Sequence, residues 1–238
     1  MKTAVCKISK NGVDYKFHMR PSTTDVQVIK EVIIRNQYSK KIKNGAEIID
    51  FCVEPGDKWL DCGANIGTFS ILASLRGAKV IAFEPEPTNY DLLVKNININ
   101  KCKGVKTYQS ALSVKNAIAN LYLGSTDYQK YRHSLRPIRG RKAIEVKVKD
   151  IRPYLTKVNA VKMDIEGSEI EILETIDNWH NIRKLVFEYD FNQDPSVDRF
   201  KKVIRKLSEH FDVIHSPKIT GKEYRHFPSG VLVFCYRQ

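Results

Sequence analysis

The hydrophobic positions of the chain fall into two alternating periods. Short apolar runs at 58–62 (KWLDC), 79–83 (KVIAF), 159–164 (NAVKMD) and 184–190 (KLVFEYD) read as buried strands. Segments of helical spacing separate them: IGTFSILASLRG, stopped by Gly77, then PTNYDLLVKNININ and SEIEILETIDNW. A fourth helix, SVDRFKKVIRKLSEHF, is amphipathic, with Phe200, Val203, Ile204 and Leu207 on one face. GVKTYQSAL supplies a third strand, and IANLYLG and AIEVKV read as strands flanking the polar loop 125–142. DVIHS and GVLVFCY close the chain with little helix between them. Alternation of this kind predicts an α/β sandwich with a mostly parallel sheet and an antiparallel edge at its end.

The first 53 residues read differently. AVCKIS and DYKFHM alternate around the turn-forming KNG, which predicts a hairpin. TTDVQVIKEVIIRNQY carries Val28, Val32 and Ile33 at helical spacing, with Asp25 as N-cap, and GAEIIDFCV reads as another short helix. The expected organisation is one domain, in which residues 1–53 form an extension packed on a core of residues 54–238.

Composition narrows the function classes. Forty Lys and Arg against 27 Asp and Glu give a formal charge of +13, which suits polyanions or phosphorylated ligands and equally a solubilising surface. The five cysteines are an odd number without a C-x-x-C pair, which argues against a disulfide framework or zinc site. Neither a spanning apolar run nor a secretory leader is visible, and the expected location is the cytoplasm.

The stretch VKMDIEGSEIEIL sets Asp164, Glu166, Glu169 and Glu171 directly after a strand. Ser168 and Glu171 have the spacing of a capping box, and Glu169 then sits in the first helical turn. Asp164 and Glu166 lie instead at the strand's carboxyl end, where ligands bind in open α/β sheets. The same rim carries Asp61 in WLDCGANIGTFS, followed by Gly63, Ala64, Asn65 and Gly67, and Glu84 in VIAFEPEP, 23 residues after Asp61 and followed by Pro85. Small residues admit a ligand to the backbone, the helix start offers free N–H groups, and an acid at the second strand end suits ribose hydroxyls. Asn65 stands where a dinucleotide fold wants its second glycine, and Asp61 would repel a pyrophosphate but attract an ammonium group. S-adenosylmethionine fits this pattern better than a nicotinamide cofactor.

WLDCGANIGTFSILASLRGAKVIAFEPEPTNYDLLVKNI together with VKMDIEGSEIEIL resembles the FkbM family of S-adenosylmethionine-dependent methyltransferases, and the likeness extends from about residue 20 to residue 190. The resemblance implies the class I methyltransferase fold, a Rossmann-like sandwich on a seven-stranded, mostly parallel sheet with an antiparallel last strand. It also implies O-methylation of a sugar, glycan or other small molecule. Asp61, Gly63, Asn65 and Gly67 would then line the methionine end, Glu84 the ribose, and Ser110 and Ala111 the adenine. Lys162, Asp164 and Glu166 would stand at the methyl-transfer end. The family's histidine near the fifth strand is replaced here by Glu188-Tyr189-Asp190.

Methyl transfer to an alcohol needs a base or a Lewis acid. Asp164 is the expected base, with Lys162 as modulator. A rival arrangement has Asp164, Glu188 and Asp190 bind Mg²⁺, which would acidify the acceptor hydroxyl. His133, Arg132 and Arg136, in the loop DYQKYRHSLRPIRGRK, would suit a polar or phosphorylated acceptor. The alternative function is methylation or simple binding of RNA, for which the charge of +13 is apt.

Overall fold

In the computed structural model, which describes residues 3–124, 133–191, 194–216 and 230–238, the chain enters through a hairpin. Its strands are β1 (Ala4–Lys10) and β2 (Val13–Met19), closed by Asn11 and Gly12 at φ 51° and 76°. Helix α1 (Asp25–Ile29) runs into a π-helical turn over Lys30–Ile34. A second hairpin follows, β3 (Lys40–Asn44) with β4 (Glu47–Phe51). The expected helix at GAEIIDFCV is therefore strand β4. Ile49 and Phe51 point inward while Ile48 and Asp50 are exposed, a period of two that the short apolar run disguised.

The core then alternates: β5 (Lys58–Cys62), α2 (Thr68–Leu75), β6 (Lys79–Phe83), α3 (Pro87–Ile99) and β7 (Val105–Tyr108). After β7 the chain leaves the sheet. The single strand expected in GVKTYQSAL breaks at Ser110, and β8 (Ala111–Ser113) pairs elsewhere, with β10 (Ala143–Asp150) beside β9 (Ala117–Tyr122). The turn α4 (Arg152–Leu155) leads to β11 (Ala160–Met163), α5 (Glu169–Thr175), β12 (Lys184–Asp190), α6 (Val197–Leu207), β13 (Val213–His215) and β14 (Gly230–Tyr236). Among the described residues the large sheet has seven strands in the order β7-β6-β5-β11-β12-β14-β13. β14 alone runs opposite in direction to the other six. This is the class I methyltransferase sheet.

Strand β5 is buried from Trp59 to Cys62, as a central strand covered on both faces must be. Trp59 faces a cluster with Phe17, Ile33, Tyr38 and Phe69, drawn from the amino-terminal segment and α2. Leu60 faces the other cluster, with Leu173, Trp179, Phe200 and Leu207 from α5, α6 and the segment between α5 and β12. The amino-terminal hairpin is fastened to α3 by asparagines. Asn96 accepts from the His18 amide and donates to the carbonyls of His18 and Ile66, at 2.5, 3.1 and 2.8 Å. Asn100 makes the equivalent pair with Lys16. Side-chain amides thus stand in for a neighbouring strand's backbone.

Two expected caps are not formed. Thr24, not Asp25, is the N-cap of α1; Asp25 is buried in a two-pronged pair with Arg20 (2.8 Å for each bond), whose guanidinium also reaches Asn89 at 2.7 Å. At α5 the Ser168 side chain caps nothing, because its backbone is already helical, and Glu171 turns toward Ser113. No described helix is long and apolar enough to cross a membrane.

Candidate active site

The carboxyl ends of β5, β6, β11 and β12 open into one cleft, with α1 and the residues after it as a further wall. Gly63, Ala64, Asn65, Glu84, Pro85, Ser110 and Ala111 line one part of it. Lys162, Asp164, Glu166, Glu188, Asp190 and His133 line the rest. Asp61 and Gly67 are set behind the lining, and Arg136 lies outside it. Arg132 lies outside the described residues.

The glycine loop is shaped more by its neighbours than by a ligand. A Cβ on Gly63 (φ 79°) would overlap the Asp164 carbonyl oxygen, so glycine is demanded by the adjoining strand end. Four of the loop amides are committed within the protein. Gly63 and Ala64 donate to the Phe83 carbonyl at 3.0 and 2.8 Å, and Gly67 to Ala64 at 2.8 Å. Asn65, held at φ 51°, donates its amide to Glu84 Oε2 at 2.8 Å. What the loop offers is side-chain atoms. Asn65 Oδ1, Thr68 Oγ1, Ser110 Oγ and Thr24 Oγ1 are buried, lack any hydrogen-bond partner, and belong to residues lining the cleft. Buried polar atoms without partners are costly unless a ligand satisfies them.

Glu84 is 4 % exposed. It accepts from the Asn65 and Glu86 amides, one per oxygen, and also from the Asn89 side chain. Burial outweighs those three donors and pushes its pKa up to about 7. A cluster of unsatisfied hydroxyls and an amide oxygen in the same cleft as a buried carboxylate fits a nucleoside ligand of the S-adenosylmethionine type. Glu84 would take the ribose hydroxyls, Asn65 and Thr68 the amino-acid end, and Ser110 with Ala111 the base.

At the other end of the cleft, Lys162 is the buried hub. Its ammonium lies 3.1 Å from Asp61 Oδ1 and donates to the Gly63 carbonyl at 2.7 Å. Burial works against its charge, but Asp61 and Asp164 outweigh it, so its pKa is raised and it remains a cation. Asp61 is fully buried and takes a second bond from Ser70 Oγ at 2.6 Å. Asp61 thus balances the Lys162 charge from behind the cleft lining.

Asp164 Oδ2 accepts from the Tyr38 phenol at 2.8 Å. The loop beyond it is strained, with Glu166 at φ 55° and Gly167 at φ 108°. Glu169 holds that loop, accepting from the Ile165 and Gly167 amides, each at 2.6 Å. Ser134 Oγ donates to the Glu166 carbonyl at 2.6 Å and ties the loop after β9 to it. His133 accepts from the Gly124 amide through Nδ1 at 3.1 Å. Glu188 packs against Gly230, where a Cβ would overlap its carboxylate.

The metal arrangement finds no support. Asp164, Glu188 and Asp190 share the cleft, yet among the described residues no three His, Cys, Asp or Glu side chains gather as a ligand set. Tyr38, Thr24 and Thr68 are cleft residues that the sequence reading did not single out. Thr68 stood inside the glycine motif; nothing near Tyr38 in the chain points to Asp164.

A family model described as the methyltransferase FkbM domain matches residues 61–213. This chain belongs to the FkbM methyltransferase family. Tyr38 and Thr24 precede the matched span. Similar proteins include methyltransferase sdnD of Sordaria araneosa, 30% identical over 168 residues, which cover 54% of this chain and 64% of that protein. Another is the hexuronic acid methyltransferase AglP of Haloferax volcanii, 27% identical over 169 residues, 66% of this chain and 63% of that one. The chain thus spans a little under two thirds of the length of these relatives. Solved structures that align with it include a Pyrococcus abyssi tRNA (uracil-54, C5)-methyltransferase in complex with S-adenosyl-L-homocysteine. That alignment has a TM-score of 0.46 and 15% identity, covering 97% of this chain and 43% of the other. A Geobacter metallireducens precorrin-6y C5,15-methyltransferase aligns with a TM-score of 0.43 and 14% identity, over 78% and 82% of the two chains.

Proposed function

We propose that this FkbM protein is an S-adenosylmethionine-dependent O-methyltransferase whose acceptor is a hydroxyl of a sugar, glycan or other small molecule. One observation carries the reading: a single cleft joins Glu84 and partnerless buried polar atoms to the buried Lys162 and the half-buried Asp164. The hexuronic acid methyltransferase among its relatives supports a sugar acceptor. When bound, the cofactor supplies an electrophilic methyl on a sulfonium, which becomes a neutral thioether as the acceptor oxygen gains the methyl.

The remaining work falls to the chain. Asp164 takes the hydroxyl proton as the new O–C bond forms. Lys162 keeps a fixed positive charge beside Asp164 and, being raised in pKa and paired to Asp61, does not itself serve as base. Glu169 and Ser134 hold the loop that carries Glu166 at the acceptor side. His133 lines the acceptor side of the cleft, with Arg136 near the same loop. The α1 wall keeps water from the reacting oxygen.

Calorimetry with S-adenosylhomocysteine and a labelled-methyl screen of sugar and RNA acceptors test this. Glu84→Ala is expected to abolish or strongly weaken binding. Asp164→Asn is expected to bind normally and lose about 100-fold or more in turnover, the usual worth of a positioned base. Unchanged turnover in Asp164→Asn would remove that residue from the chemistry, and methyl transfer to RNA but to no sugar would replace the acceptor class.

A further inference from the structure

We propose that Tyr38 is a positioning residue of the methyl-transfer site: its phenol holds one oxygen of Asp164 and leaves the other for the acceptor hydroxyl. The proposal rests on the reading of Asp164 as base. Its ground is geometric. Tyr38 comes from the amino-terminal segment, 126 residues away in sequence, and delivers its O–H to Asp164 Oδ2 at 2.8 Å. The ring is 7 % exposed and fixed on two sides. It meets Phe69 edge-on with centroids 5.4 Å apart, and the Lys162 ammonium lies 5.5 Å from its centre.

The backbone that presents the ring is itself braced. Lys10, from the first hairpin, donates to the carbonyls of Ile33 and Ile34 at 2.6 and 2.7 Å and to Asn36 Oδ1 at 3.0 Å. Those carbonyls end the π-helical turn, an element that recurs at functional sites. Asn36 then takes a left-handed φ of 52°, and the Ser39 amide closes a turn onto its carbonyl at 2.8 Å. The result is a short, tightly bonded lead that sets one phenol against one carboxylate.

Burial, and then the charge of Asp164, raise the phenol's pKa well above its ordinary value, so it stays protonated and can only donate to an ionised Asp164. A donor on one oxygen fixes the side-chain rotation and favours the charged form, which a base requires. The charged groups facing Asp164 are Lys162 on its own strand, Asp61 behind Lys162, Glu169 at the start of α5 and Glu188 on β12. Glu166, His133 and Asp190 line the same cleft. A phenol that merely filled space would affect stability and cofactor binding but not the pH dependence of turnover.

Tyr38→Phe keeps the ring and removes the donor. Its melting temperature and its calorimetric affinity for S-adenosylhomocysteine are expected to stay close to those of the unaltered protein. Turnover is expected to fall about tenfold or more, the worth of one hydrogen bond to a charged group. The acidic limb of the kcat profile moves to higher pH, because losing a donor disfavours the carboxylate. Introducing 3-fluorotyrosine at position 38, a stronger donor of almost the same size, moves that limb the other way. In an Asp164→Asn background, Tyr38→Phe adds no further loss. Turnover and acidic limb unchanged in Tyr38→Phe, with Asp164→Asn inactive, overturn the positioning role and leave the base assignment standing. Retained turnover in Asp164→Asn removes both. Should Tyr38→Phe fail to fold, the fluorinated protein decides alone, and an unmoved limb overturns the proposal.

Discussion

Glu84 and Glu169 are the two buried acids that burial lifts from an ordinary 4.5 to about 7. Between those values the folded protein holds protons that the unfolded chain has released. Their contribution to stability is therefore complete below about 4.5 and is lost as pH rises to about 7. Ligand binding reverses the balance at Glu84, since ribose hydroxyls donating to it favour the ionised form. Binding of S-adenosylhomocysteine just below pH 7 is then expected to release protons, seen as a calorimetric enthalpy that varies with the ionisation enthalpy of the buffer. Glu84→Gln should erase that dependence. A dependence that persists in the variant would assign the proton to another group. Glu169 has no such exchange, because it does not line the cleft.

At the scale of elements, the amino-terminal hairpin and α3 act as one unit because Asn96 and Asn100 complete the outer edge of β2. Asn96→Ala would leave the His18 amide and the Ile66 carbonyl without partners in a largely buried place. A loss of about 2–4 kcal/mol is expected, the cost of two or more unsatisfied groups. Urea unfolding with an unchanged slope measures it, and a loss below about 0.5 kcal/mol, the floor for a single hydrogen bond, would mean that water takes over those bonds. The same attachment matters for the site, since α1 and Tyr38 follow the hairpin directly and Lys10 reaches from it to the π-helical turn. Helix α6 is tied to α5 by Arg199, which pairs with Glu174, but its ends are satisfied locally. Ser196 accepts from the Arg199 amide at its start, and Arg205 and Lys206 complement the dipole at its end.

For the whole molecule, the cleft draws on strand ends from residues 61 to 190 and on a wall that precedes them, so no single segment contains the site. Its acids do not gather as a metal ligand set among the described residues, and turnover is expected to be insensitive to EDTA. A rate that falls with EDTA and returns with Mg²⁺ would contradict this. What could be read in the sequence was whatever depends on covalent neighbours. The α/β alternation, the hairpin at KNG, the glycine loop and the acids at the strand ends all follow from period and spacing, and most of the named residues do line the cleft. Short apolar runs were ambiguous, which is why β4 reads as a helix from its sequence. Partnership was not legible at all. Glu169 rather than Ser168 and Glu171 stabilises the start of α5, Asp61 withdraws behind Lys162, and Tyr38 reaches Asp164 across 126 residues. A side chain's partner depends on which strands become neighbours and on how fully water is removed between them, and both are properties of the packed sheet.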